Sequence, residues 1–256
     1  MTPSDPFRLD GKRALITGAA GGIGSVLVET FTAAGAQVIA ADRDAAGLEK
    51  LDCAQRLAFD LAKPDEIRAA VAKMDAAPPD IFISNAGGAR AETLAQTDEE
   101  NWAEELQLNL TSAFQLAHPL VEGMAQRGGG ALVFISTVNA LAHFGNPAYS
   151  AAKAGLVSLA RSIAVERGSQ GVRANVVCPG SVLTRAWERR LERDADLKDK
   201  ILPHYPLGRV VVPREVARAA LFLASDAASG ITGAVLPVDA GLTAGNLRFV
   251  REVIGG

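Results

Sequence analysis

The chain has 256 residues, 48% hydrophobic and 21% charged, with a formal net charge of -3. That balance excludes a disordered chain and offers no basic excess for a nucleic-acid partner. No apolar run reaches the roughly 18 residues of a membrane helix, and Met1 to Leu9 lacks the apolar stretch of a leader, so a cytoplasmic protein is expected.

Short apolar runs alternate with helical patterns along the chain. Residues 12–17 (KRALIT) read as a strand and 22–34 as a helix. A strand at 37–41 precedes a helix at 45–51. A short strand at 57–60 precedes a helix at 64–74 that opens on Pro64. A strand at 80–84 leads to a long helical pattern at 98–126, with Asp98 as its N-cap. A strand at 130–136 and a helix at 148–167 follow, and the glycines at 168 and 171 end that helix. Residues 172–178 form a strand cut off by Pro179 and Gly180. Residues 184–202 are a charged helical insertion. A helix at 213–224 and a strand at 234–238 complete the series. Such alternation predicts an α/β fold: one doubly wound Rossmann-type domain over 1–256, its parallel sheet of about seven strands covered by helices on both faces. Ligands in such sheets bind outside the carboxyl ends of the strands.

The first strand runs into Thr17-Gly18-Ala19-Ala20-Gly21-Gly22-Ile23-Gly24 and then a helix. Glycines there let the backbone approach a pyrophosphate, and the helix start presents free amides to it. Asp42 ends the second strand, about 20 residues on, where a carboxylate accepts from an adenosine ribose. Its charge would repel a ribose phosphate, so NAD is expected over NADP; Arg43 beside it pulls the other way. Tyr149 and Lys153, four residues apart at a helix start, share one face. An ammonium near a phenol favours the phenolate, and a tyrosine so tuned exchanges a proton with a carbinol. Ser136 ends the preceding strand, where its hydroxyl can bond a substrate oxygen. The competing role, a serine nucleophile, lacks a G-x-S-x-G elbow. Of three histidines, His118 lies within a long helix, and His143 sits between Ser136 and Tyr149, where it can touch substrate. Cys53 and Cys178 have no ligand spacing and read as reduced thiols, and no metal is expected.

Together these motifs resemble the short-chain dehydrogenase/reductase family over nearly the whole chain. TGAAGGIG is similar to the family's TGxxxGxG motif, with Gly18, Gly22, Ile23 and Gly24 in its positions. The resemblance assigns the adenine contact to Asp60 and the following Leu61. It assigns the NAG after the fourth strand to Asn85, Ala86 and Gly87. Pro179, Gly180, Val182 and Thr184 match the stretch that holds the nicotinamide. It further implies Tyr149 as the acid–base residue, Lys153 bonding the nicotinamide ribose, Ser136 positioning the substrate oxygen, and Asn109 linking Lys153 to solvent through water. Ser84 stands where the family usually has a further Asn, and Asn139 stands where a small residue is common.

The stretch at 184–206 matches the family's variable substrate lid, with Trp187 as a substrate contact. Asn139, His143 and Asn146 give the expected pocket mouth a polar lining. With the DAGLTAGN ending at 239–246, that leans toward a sugar, polyol or hydroxy acid. The rivals are an NADPH-dependent reductase of 3-oxoacyl thioesters and a non-catalytic dinucleotide sensor or scaffold. The family resemblance also implies a homotetramer or homodimer joined through the helices at 98–126 and 148–167 and through the C-terminal segment.

Overall fold

The computed structural model describes residues 5–74, 78–194 and 196–255. Seven parallel strands form one sheet in the order β3-β2-β1-β4-β5-β6-β7. The strands are β1 (Arg13–Thr17), β2 (Gln37–Asp42), β3 (Gln55–Ala58), β4 (Ile81–Ser84), β5 (Gly130–Ile135), β6 (Val172–Pro179) and β7 (Val235–Val238).

The period of two along a strand sorts the core into two layers. On one face, Ala14 and Ile16 of β1 pack with Leu27 and Phe31 of α1 (Gly24–Ala33) and with Val216 and Leu223 of α9 (Pro213–Ala224). On the other, Leu15 of β1, Phe82 of β4 and Phe134 of β5 pack with α3 (Pro64–Met74), α5 (Ser112–Gln126) and α6 (Pro147–Arg167). The rings of Phe82 and Phe134 meet edge to face at 6.3 Å. Each such side chain contributes about 1.5–3 kcal/mol by leaving water. Double-sided burial is why the strand sequences show no polar alternation.

Three elements differ from the sequence expectation. β3 lies two residues earlier, because pairing of Asp42 with Ala58 sets its register. The second helix, α2 (Ala45–Leu48), is a single turn capped by Asp44. The long helix breaks into α4 (Glu99–Leu106), a π turn at Gln107–Thr111, and α5. Asp98 does cap α4, accepting from the Asn101 amide at 2.7 Å. In the 184–206 stretch lie α7 (Arg185–Arg193) and α8 (Leu197–Ile201); Ala195 is outside the described residues. Near the end, α10 (Leu247–Phe249) runs into a π turn, Val250–Ile254. Among the described residues no helix is long and apolar enough to cross a membrane.

Candidate active site

The strand order reverses between β1 and β4, and a crevice opens there at the carboxyl ends. After Thr17 the chain turns at Gly18, whose φ of +65° suits glycine. A side chain at Gly18 would also come within 2.8 Å of the Ala86 Cα, so the ends of β1 and β4 close on each other. Asn85 locks this junction: its Nδ2 donates to the carbonyls of Thr17 (2.9 Å) and Gly18 (3.2 Å). Gly22, Ile23 and Gly24 then lead into α1, whose first amides lack intrahelical partners.

These residues line a cleft of about 900 Å³ together with Asp42, Arg43, Asp60, Leu61 and Thr184. The Asp42 carboxylate is held by the backbone amides of Ala20 and Asp44, each donating at 3.0 Å. Asp60 likewise accepts from the Ala62 amide at 2.9 Å. A glycine turn, free helix amides and a fixed carboxylate fit a dinucleotide. When bound, such a group supplies or accepts a hydride.

A smaller cavity of about 250 Å³ shares Ile23, Asn85, Gly87 and Thr184 with the cleft. Its remaining wall includes Ser136, Thr137, Tyr149, Lys153, Pro179, Gly180, Val182 and Trp187. Lys153 is only 2% exposed, and its Nζ donates to the Ile135 carbonyl at 2.9 Å. A Cβ at Gly87 would lie 2.6 Å from Asn109 Oδ1 and 2.9 Å from Lys153 Nζ, so only glycine leaves room where those groups converge. Asn109, on the π turn, accepts from the Gly88 amide at 3.0 Å and donates to the Gly88 and Glu105 carbonyls. π turns are uncommon and concentrate at functional sites.

The electrostatics differ from the simple expectation that Lys153 lowers the Tyr149 pKa. Burial pushes the Tyr149 phenol up to about 12, and the nearby Thr137 hydroxyl opposes that rise. Lys153 Nζ lies 5.7 Å from the centre of the Tyr149 ring and faces the Ile135 carbonyl. Burial lowers the Lys153 ammonium to about 8. Near neutral pH, Tyr149 therefore holds its proton ready to give, and Lys153 is the member of the pair that titrates first.

The expected polar mouth is arranged otherwise. Asn139 donates to the Gly145 carbonyl (3.0 Å) and the Ser150 hydroxyl (3.3 Å), and so braces the loop after β5. Asn146, in the left-handed region at φ 53°, donates to the Ala91 and Glu92 carbonyls just before α6. His143 is exposed. None of the three lines the Tyr149 cavity, whereas Trp187 does. Two residues not expected from the sequence matter here. Thr137 lines the cavity directly after Ser136, and no local sequence pattern separates the two. Glu105 is 2% exposed and accepts from the Arg90 (2.7 Å) and Ala91 (3.2 Å) amides. A charged residue beside Glu104 gave no sequence sign of being buried.

A family model described as enoyl-(acyl carrier protein) reductase matches residues 18–243. An oxidoreductase from Burkholderia thailandensis, solved as a short-chain dehydrogenase/reductase, superposes with a TM-score of 0.89 at 44% identity, covering 95% of this chain and 97% of that one. The chain belongs to the short-chain dehydrogenase/reductase family. An uncharacterized oxidoreductase of Schizosaccharomyces pombe is 40% identical over 249 residues, 96% of each chain. The galactitol 2-dehydrogenase (L-tagatose-forming) of Cereibacter sphaeroides is 37% identical, covering 93% of this chain and 97% of that enzyme. As a short-chain dehydrogenase/reductase the protein is an oxidoreductase, working between a carbinol and a carbonyl with a nicotinamide dinucleotide.

Proposed function

We propose that the protein is an NAD(H)-linked dehydrogenase of a small polar alcohol, a sugar, polyol or hydroxy acid, with Tyr149 as its acid–base residue. The observation that carries this reading is the adjoining of the two cavities. The dinucleotide cleft and the Tyr149–Lys153 cavity share four wall residues, so a nicotinamide and a carbinol would meet beside the phenol. Tyr149 gives its proton to a carbonyl oxygen in reduction and takes it from a carbinol in oxidation. Lys153 orients the ribose beside it, and Asn109 holds the route to solvent.

Asp42 supports NAD over NADP, since its fixed carboxylate stands where the ribose hydroxyls would bind and would repel a phosphate. The resemblance to galactitol 2-dehydrogenase supports a polyol-type substrate. The 3-oxoacyl thioester reductase reading has its own support, a 34% identical reductase of that kind from Vibrio cholerae.

The test is a rate panel of polyols, sugars, hydroxy acids, secondary alcohols and a 3-oxoacyl thioester, with NAD(H) and NADP(H) in parallel. Turnover of one polar class with NAD is the expected outcome. Turnover of the thioester alone, with NADPH, would replace this reading with its rival. Asp42→Ala is expected to weaken NAD binding about tenfold or more and NADP binding less. Equal losses for both, measured by calorimetry, would remove the ribose contact.

A further inference from the structure

Two hydroxyls, Ser136 and Thr137, stand side by side where β5 ends; both residues border the Tyr149 cavity, but their hydroxyls bond different groups. The Ser136 hydroxyl donates to the Lys153 backbone carbonyl at 2.9 Å, with Ser136 itself 4% exposed. Its one proton is thus engaged in holding α6 against β5, beside the buried Cys178 thiol. Thr137 is the next residue on extended backbone, with φ −163° and ψ 160°, so its side chain projects the opposite way. It lines the cavity with Tyr149, and its hydroxyl is near enough to the phenol to favour the phenol's ionisation. Its contacts with Asn139, to the amide and to Oδ1, are both 3.3 Å, which is long for hydroxyl bonds and readily given up.

We infer that Thr137, rather than Ser136, is the catalytic hydroxyl that holds the substrate oxygen against Tyr149, and that Ser136 is a structural tie between β5 and α6. This assignment rests on the proposed acid–base role of Tyr149. A donor beside the phenol shares the negative charge that develops on the substrate oxygen, which is where a fixed hydrogen bond does most for the rate. Both residues border the cavity, but the Ser136 proton is committed at 2.9 Å while the Thr137 contacts are long, so the roles divide.

The experiment compares Thr137→Ala, Thr137→Ser, Ser136→Ala and Tyr149→Phe in the full chain. With whichever alcohol the panel identifies, Thr137→Ala is expected to lower kcat about 100-fold or more, and Thr137→Ser to restore it to within several-fold. Ser136→Ala is expected to keep kcat within several-fold and to lower Tm. A second readout needs no substrate. Tyrosine labelled at Cζ with the NMR-active carbon isotope gives one signal for each of the two tyrosines, and Tyr149→Phe assigns them. Thr137→Ala is expected to move the Tyr149 signal and Ser136→Ala to leave it in place. A large kcat loss in Ser136→Ala with Thr137→Ala near wild type overturns the assignment, as does a Tyr149 signal that follows Ser136 and ignores Thr137. Full turnover by Tyr149→Phe is a separate failure, that of the acid–base reading itself.

Discussion

Lys153 shows what a single buried charge costs the fold. In the folded chain its ammonium is lowered to about 8, while in the unfolded chain it keeps the ordinary 10.5. Below about pH 8 both states hold the proton and the burial cost is present in full. Between about 8 and 10.5 the unfolded state binds a proton that the folded state has lost, so this group's contribution to stability rises with pH. Tyr149 acts in the opposite sense higher up, because its phenol stays neutral to about 12 when folded and ionises near 10.0 when unfolded. Burial also raises the Cys53 and Cys178 thiols above 9.0, so they ionise first in the unfolded chain, and denaturant melts should show stability climbing above about pH 8 and turning down above about pH 9. Lys153→Met is expected to flatten the climb and to add about 1–3 kcal/mol near pH 7, while abolishing turnover. A wild-type profile that is flat across this range, or a Met variant that keeps the climb, would contradict the burial argument.

Among the elements, α4 and the π turn after it carry the loop that follows β4. Glu105 takes two loop amides on one carboxylate oxygen, while its other oxygen is buried without a hydrogen-bond partner. Glu105→Ala would leave the buried Ala91 amide and the partly buried Arg90 amide unpaired, and a loss of about 1–3 kcal/mol is expected in chemical melts. Faster amide hydrogen exchange at residues 88–92 should accompany it; unchanged exchange there would show that the loop is held from elsewhere. The same elements mark what was legible in the sequence. The glycine turn, Asp42, Tyr149 and Lys153 were readable because each follows from strand–helix punctuation and a fixed local spacing. Ser136 and Thr137 were not separable by counting back from Tyr149, since the loop between them and α6 has no fixed length. Asn139 and Asn146 looked like substrate contacts because a polar side chain in a loop does not announce that a backbone carbonyl will claim it. β3 was displaced for a related reason: partner-strand register, which no local pattern encodes, sets its ends.

The whole molecule leaves large apolar side chains on its helical outside. Trp102 on α4 and Phe114 on α5 are exposed, and Val165 on α6 is 85% exposed. Phe114 lies 5.6 Å from the His118 ring, centre to centre, so α5 presents a firm aromatic surface. Association of copies through these helices is the expected outcome, and Val165→Asp should shift the particle mass toward smaller species in light scattering. An unchanged mass would move the interface elsewhere. Such an assembly would bring the helices bearing Asn109 and Lys153 against a neighbour, so turnover should fall along with mass. The π turn at Gln107–Thr111 has a further consequence, for how chains of this kind are compared. It holds one residue more than an α-helix of the same span, so against a chain whose helix runs through this point without it, the length difference would sit inside a helix and not in a loop. An alignment that pushes its gap out to the nearest loop would rotate every α4 residue about 100° out of phase with its true counterpart. Buried Glu105 would then be matched to a position that faces water.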